Sequence, residues 1–159
     1  MSDKEEFIRL IQQHQGIVRK ISYSYADDDE DRNDLQQEIL LQAWRSYARF
    51  QGKSQFATWL YRVSLNVAIT SLRNRKRRPV ATEFAEPPAY QHGNAAELRE
   101  QIFKSLNDVE KSLAILLIEG YPQAEIAEIL GVTPVNTRTK IHRLREKLSK
   151  HGIKDFLEG

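Results

Sequence analysis

Residues 123–133 read Gln123-Ala124-Glu125-Ile126-Ala127-Glu128-Ile129-Leu130-Gly131-Val132-Thr133, and the chain continues Pro134-Val135-Asn136-Thr137-Arg138-Thr139-Lys140-Ile141-His142-Arg143-Leu144. Ile126, Ile129 and Leu130 fall on one face of a short helix. Ala127 is small where a neighbouring helix must come close, and Gly131, four residues on, suits a sharp turn through a left-handed residue. Val132 is placed to plug the angle between two helices. Thr133 can cap the second helix, and Pro134 takes its first position, where a missing N–H is no loss. That second helix would bury Ile141, Leu144 and Leu148. It would leave Thr133, Asn136, Arg138, Thr139, Lys140 and Arg143 for base edges and phosphates in a major groove. A basic helix packed on a hairpin without any DNA role would need only the charge. Small residue, turn glycine, plug and cap in one register predict a helix-turn-helix that binds duplex DNA.

Upstream of this motif the periodicity stays helical. Phe7, Leu10, Ile11, His14, Ile17, Val18, Ile21 and Tyr25 make one apolar stripe, predicting a single helix over about Lys4–Ala26. The acidic stretch from Asp27 to Asp31 supplies N-cap candidates for a second helix over about Asp31–Phe50, with Leu35, Ile39, Ala43 and Tyr47 along one side. Phe50–Ser54 reads as a loop, and Ser54 as the N-cap of a third helix running through Trp59, Leu60, Val63 and Val67 towards Arg75. Pro79, Pro87, Pro88 and Gly93 interrupt a stretch with little apolar periodicity, expected to be a flexible linker over 79–94. Beyond it, Ala95–Leu106, Val109–Glu119, Gln123–Leu130 and Pro134–Lys150 read as helices. The expected fold is all-α, with two small helical domains, 1–78 and 95–159, and the helix-turn-helix in the second.

The 159 residues, 40% of them hydrophobic, can fold without covalent staples, and the chain has no cysteine for disulfides, zinc-thiolate sites or thiol chemistry. No apolar run approaches the ~18 residues that a membrane span needs, and MSDKEEFIRL lacks the form of a signal peptide, so a cytoplasmic protein without membrane contact is expected. The net charge of +2 conceals a strong alternation. Seven acids face one base between Asp27 and Glu38; five of six residues are basic over 73–78; six bases face one acid over 138–150. A nucleic acid and a second, different partner are the natural reading. His14, His92, His142 and His151 show no ligand spacing, so neither metal nor cofactor is expected.

The N-terminal half resembles a known family, the extracytoplasmic-function (ECF) group of bacterial RNA polymerase sigma factors. Asp34-Leu35-Gln36-Gln37-Glu38-Ile39-Leu40-Leu41-Gln42-Ala43-Trp44 is similar to the family's core-binding helix. Phe56-Ala57-Thr58-Trp59-Leu60-Tyr61-Arg62-Val63-Ser64-Leu65-Asn66, with the basic run 73–78, is similar to its promoter-melting helix, and 125–145 to its upstream-element reader. The three motifs stand in the family's order over nearly the whole chain. Three details differ: Thr70 stands where the family usually has an acid, Asn107-Asp108-Val109-Glu110 where a leucine-proline-glutamate signature often opens the second domain, and Thr137 where a valine is buried.

The resemblance implies a protein without catalytic activity that gives core RNA polymerase its promoter specificity and initiates transcription. Asp34, Leu35, Gln37, Glu38 and Gln42 would bind core polymerase, whose matching surface is basic. Gln51, Lys53, Ser54 and Gln55 would help hold a base flipped from the start-proximal (−10) element. Trp59, Arg62 and Asn66 are further candidates for that strand, although the helical spacing of Phe56 and Trp59 also suits the core. Arg73, Arg75, Lys76 and Arg77 would contact phosphates. The second domain would read the upstream (−35) element. Promoter DNA and core polymerase are the implied partners, and an anti-sigma factor is a candidate third. The rival classes each lack a feature. A ligand- or phosphoryl-sensing regulator needs a sensor domain with strands, a protein-only adaptor would carry an uncharged second helix, and an enzyme needs a nucleophile–base set, phosphate loop or metal motif.

Overall fold

A computed structural model of the chain describes residues 2–77 and 103–150, less the side chains at 73 and 75–77. The chain divides into two compact units, Met1–Arg78 and Pro79–Gly159. Among the described residues every regular element is a helix. The expected linker over 79–94 and most of the expected helix over Ala95–Leu106 lie outside the described residues.

The first unit contains α1 (Asp3–Gln13), α2 (Gln15–Tyr25), α3 (Asp29–Phe50) and α4 (Phe56–Arg77). Where one helix is expected over Lys4–Ala26, the chain breaks at His14, which leaves the helical region at φ −118° and ψ 23°. The His14 N–H is shared between the Leu10 and Ile11 carbonyls, and its Nδ1 lies 2.8 Å from the Leu10 carbonyl oxygen. Its ring packs on Phe56, with centroids 5.1 Å apart. Gly16, a weak helix former, stands two residues on from His14. The apolar stripe keeps its register across this one-residue interruption, which is why spacing alone predicts a continuous helix.

Asp28 caps α3 by accepting from the Asp31 N–H at 2.8 Å, and Asp29, Glu30 and Asp31 in the first turn complement the helix dipole. Arg32 secures the preceding turn. Its Nε donates to the Ala26 carbonyl, and its guanidinium lies 4.4 Å from the centre of the Tyr23 ring. The core of the unit is aliphatic at its centre, with Val18, Ile21, Leu35, Ile39, Ala43, Leu60, Leu65 and Ala68 buried where α2, α3 and α4 meet. A cluster of rings closes one end: Phe7 against Trp44 and Tyr47, then Phe50, Phe56 and Trp59. Burial raises the Tyr47 hydroxyl above its ordinary pKa, with smaller help from Glu6 and Asp3, so it remains a neutral phenol at physiological pH.

Ser22 and Ser64 are both fully buried, with opposite outcomes. Ser22 Oγ donates to the Arg19 carbonyl and accepts from Gln36 Nε2, linking α2 to α3. Ser64 Oγ has no partner. A buried unsatisfied hydroxyl loses its hydration without recompense. Ser64→Ala is therefore expected to stabilise the unit by about 1 kcal/mol, raising its melting temperature by roughly 4–8 °C in a calorimetric comparison.

The second unit contains α5 (Asp108–Ile118), α6 (Gln123–Leu130) and α7 (Pro134–Lys150). Asn107 and Glu110 form a reciprocal capping box at the start of α5, so the Asn107–Glu110 segment opens this helix with polar caps. Glu110 Oε1 also accepts from Lys147 Nζ at 3.1 Å, tying α5 to α7. Gly120 and Gly131, at φ +85° and +67°, end α5 and α6 in the left-handed conformation. Behind each, the next N–H reaches back five residues, Tyr121 to the Leu116 carbonyl and Val132 to that of Ala127. The apolar centre is built from Leu113, Leu116, Ile126, Ile129, Ile141, Leu144 and Leu148.

Candidate functional site

The α6–turn–α7 segment is a helix-turn-helix. The expected devices lie where the motif requires them: Ala127 buried, Gly131 left-handed, Val132 half-buried at the angle, and Thr133 Oγ1 accepting from the Asn136 N–H at 3.2 Å. Thr137, Ile141, Leu144 and Leu148 form the buried seam of α7. The threonine at the family's valine position is accommodated because Thr137 Oγ1 donates to the Thr133 carbonyl at 2.9 Å, so its hydroxyl is buried without loss. Thr133, Asn136, Arg138, Thr139 and Arg143 are exposed and Lys140 half-exposed, so all six candidate residues remain available to a ligand. Val135, absent from the expected set, is 69% exposed in the first turn of the same helix. The apolar pattern assigns it to no buried face, and only the structure shows how open it is.

In the first unit α3 and α4 enclose an open groove of about 740 Å³. Asp31, Asp34, Glu38 and Gln42 line its α3 side, and Asn66, Thr70 and Asn74 its α4 side. Asp34, Gln37, Glu38 and Gln42 are exposed, as a partner-facing strip requires. Leu35 is 3% exposed, so it supports the strip from the core and offers a partner almost no surface. Its place within the helical stripe of Leu35, Ile39 and Ala43 is the physical reason. The groove also brings Asn66, expected to face DNA, beside residues expected to face polymerase. The separation of these positions by some thirty residues in sequence hides that proximity.

Gln51, Lys53, Ser54 and Gln55 are all exposed in the α3–α4 connection. Gln51 ends α3 at φ +49°, the one non-glycine residue with positive φ among the described residues, and Gly52 follows at +66°. Two successive left-handed residues fold the loop tightly enough for the Lys53 N–H to reach the Phe50 carbonyl at 3.2 Å. The N-cap of α4 falls at Gln55, not Ser54: the Gln55 carbonyl accepts from the Trp59 N–H, making it the half-in residue. Phe56 belongs to the core. Trp59 packs on Phe50, Phe56 and Tyr47 but keeps part of its surface open. Arg62 and Asn66 follow it along α4, both exposed. The backbone of Arg73, Arg75, Lys76 and Arg77 continues α4, while their side chains lie outside the described ones. Among the described residues no group of three or more His, Asp or Glu side chains is arranged to hold a metal ion, and no helix is long and apolar enough to cross a membrane.

The geometry defines the class as an all-α protein in two units, with an exposed acidic strip on α3 in the first and exposed basic side chains on the second helix of a helix-turn-helix in the other. Comparison with known proteins resolves the class. Residues 10–78 match the Sigma-70 region 2 family and residues 110–148 the Sigma-70 region 4 family. The chain is 31% identical over 151 residues to the ECF RNA polymerase sigma factor SigG of Mycobacterium tuberculosis, an alignment covering 74% of this chain but 41% of that one. It is 28% identical to the RNA polymerase sigma-H factor of Pseudomonas aeruginosa, with 93% of this chain and 86% of the relative covered. Its fold is similar to sigma factor RpoE of Bartonella quintana, crystallised with the anti-sigma factor NepR, at a TM-score of 0.70 and 20% identity, covering 95% and 99% of the two chains. It is also similar to CnrH in complex with the cytosolic domain of CnrY, at a TM-score of 0.65 and 23% identity over 96% and 90%. The chain belongs to the ECF group of the sigma-70 family.

Proposed function

We propose that this chain is a promoter-specificity factor that joins core RNA polymerase in the cytoplasm, reads promoter DNA at two places and starts transcription without catalysing a reaction itself. The observation that carries the reading is the order of two matched regions on one chain, the first with an exposed acidic strip and the second with an exposed basic helix face. Asp34, Gln37, Glu38 and Gln42 bind a basic surface of core polymerase, where carboxylates steer encounter and fix register. Gln51, Lys53, Ser54 and Gln55 hold an extruded base of the start-proximal element, with Trp59, Arg62 and Asn66 along the same strand. The strained Gln51 fits a loop held in shape for a ligand. Arg73, Arg75, Lys76 and Arg77 add phosphate contacts. The second unit, taken as 95–159, reads the upstream element through Thr133, Asn136, Arg138, Thr139, Lys140 and Arg143, while 79–94 tethers it to the first, taken as 1–78. Tethering two weak readers to one polymerase raises the effective concentration of each. An anti-sigma factor is a further partner in this reading, since a protein of similar fold is held by one.

Co-elution tests the proposal. Core polymerase and the chain should run as one complex on size exclusion, and that complex should retain selected genomic fragments that the chain alone releases at physiological salt. A chain that never joins polymerase, or that selects the same fragments without it, would mark an independent repressor or activator instead.

A further inference from the structure

On a helix of about 100° per residue, the centre of the outward face of α7 lies opposite the seam formed by Thr137, Ile141, Leu144 and Leu148. Val135 and Thr139 fall within about 40° of that centre, closer to it than Asn136, Arg138 or Lys140. Among the described residues Val135 is the most exposed large apolar side chain, at 69%. It contributes nothing to the buried seam, and a β-branched residue is no favoured helix former. One turn on, Thr139 Oγ1 donates to the Val135 carbonyl at 3.1 Å. With its hydroxyl proton committed there, Thr139 has a methyl group and acceptor lone pairs left to offer. Two adjacent outward positions therefore present methyl groups, bordered by Asn136, Arg138, Lys140 and Arg143.

The border identifies the occupant of this small apolar stripe. Basic and amide groups on both sides complement phosphates and base edges, and the first turns of a recognition helix are the part that approaches the bases. In the major groove the T·A pair is distinguished by the 5-methyl of thymine, the apolar group to which alanine, threonine and similar side chains pack. We propose that Val135 and Thr139 read thymine 5-methyl groups in the upstream promoter element. The inference rests on the function proposed above and adds to it the base class read at the centre of the face.

The test uses the full chain with core polymerase on templates randomised over the upstream element, from which transcribed templates are recovered. Each upstream thymine of a recovered template is then replaced singly by uracil, which removes the methyl and keeps the pairing. At one or two positions the wild-type run-off yield should fall about fourfold, the effect of one buried methyl group. Val135→Ser, which replaces the apolar side chain with a hydroxyl, should no longer respond to uracil at one of those positions, and Thr139→Ser, which keeps the hydroxyl, should lose the response at a neighbouring one. Both variants leave the buried seam of α7 intact. If transcripts appear but wild type and both variants respond to uracil alike, or none responds, the methyl reading is overturned and promoter recognition stands. If no template is transcribed at all, the promoter reading fails and the stripe falls with it.

Discussion

Reversing Asp34 and Glu38 together to lysine is expected to lower affinity for core polymerase by about 30-fold or more. Both carboxylates are exposed on the α3 strip, four residues apart and hence on one helical face. Losing one partner of a desolvated interfacial charge pair costs about 2–5 kcal/mol, and placing like charges together adds a repulsive contribution. At about 1.4 kcal/mol per tenfold, even the lower figure is close to 30-fold. The fold should not suffer. Neither side chain belongs to the core, and seven acids crowd the segment from Asp27 to Glu38, so removing two relieves repulsion. Titrating labelled protein with core polymerase gives the affinity, and a thermal melt checks that stability stays within about 0.5 kcal/mol, as surface changes ordinarily do. Unchanged affinity would move the polymerase contact away from this strip.

Leu144→Ala should act at the other end of the chain and through stability alone. Leu144 is fully buried in the seam of α7. Truncating a core leucine costs about 2–5 kcal/mol, transfer and cavity contributions together. A unit this small has limited stability to lose. The second unit should therefore unfold first, splitting the calorimetric trace into two transitions while the first unit melts as before. Polymerase binding through α3 should survive, and selection of promoter fragments should not. A single, wild-type transition would mean that α7 is held by more than its seam.

The reach of the sequence follows from where each signal is stored. The helix-turn-helix is specified locally: Ala127, Gly131, Thr133 and Pro134 each act within one turn of their own position, so their roles can be read residue by residue. The all-α class is equally open, since wherever the apolar spacing is periodic its period is helical. The break at His14 is invisible to that spacing because the apolar stripe keeps its register across it, and the ring that packs on His14, that of Phe56, lies 42 positions away. The cap of α4 falls one residue after Ser54, behind a tight turn through Gln51 and Gly52 in which a non-glycine residue takes a positive φ that residue type alone does not announce. Leu35 reads both as a neighbour of the acids and as a member of the core stripe, and burial decides for the core. The nearness of Asn66 to Asp34 and Glu38 exists only once α3 and α4 have packed. Val135 shows the limit from the other side: the sequence places an apolar residue beside polar ones, but its value as a reader depends on its exposure.

Run-off transcription by purified core polymerase on genomic fragments of the source bacterium, with and without this chain, decides whether the chain confers promoter specificity. Discrete new transcripts are expected that require the chain and start at a limited set of sites sharing two sequence elements. Identical products with and without the chain, from polymerase shown to be active with another specificity factor, would contradict that role.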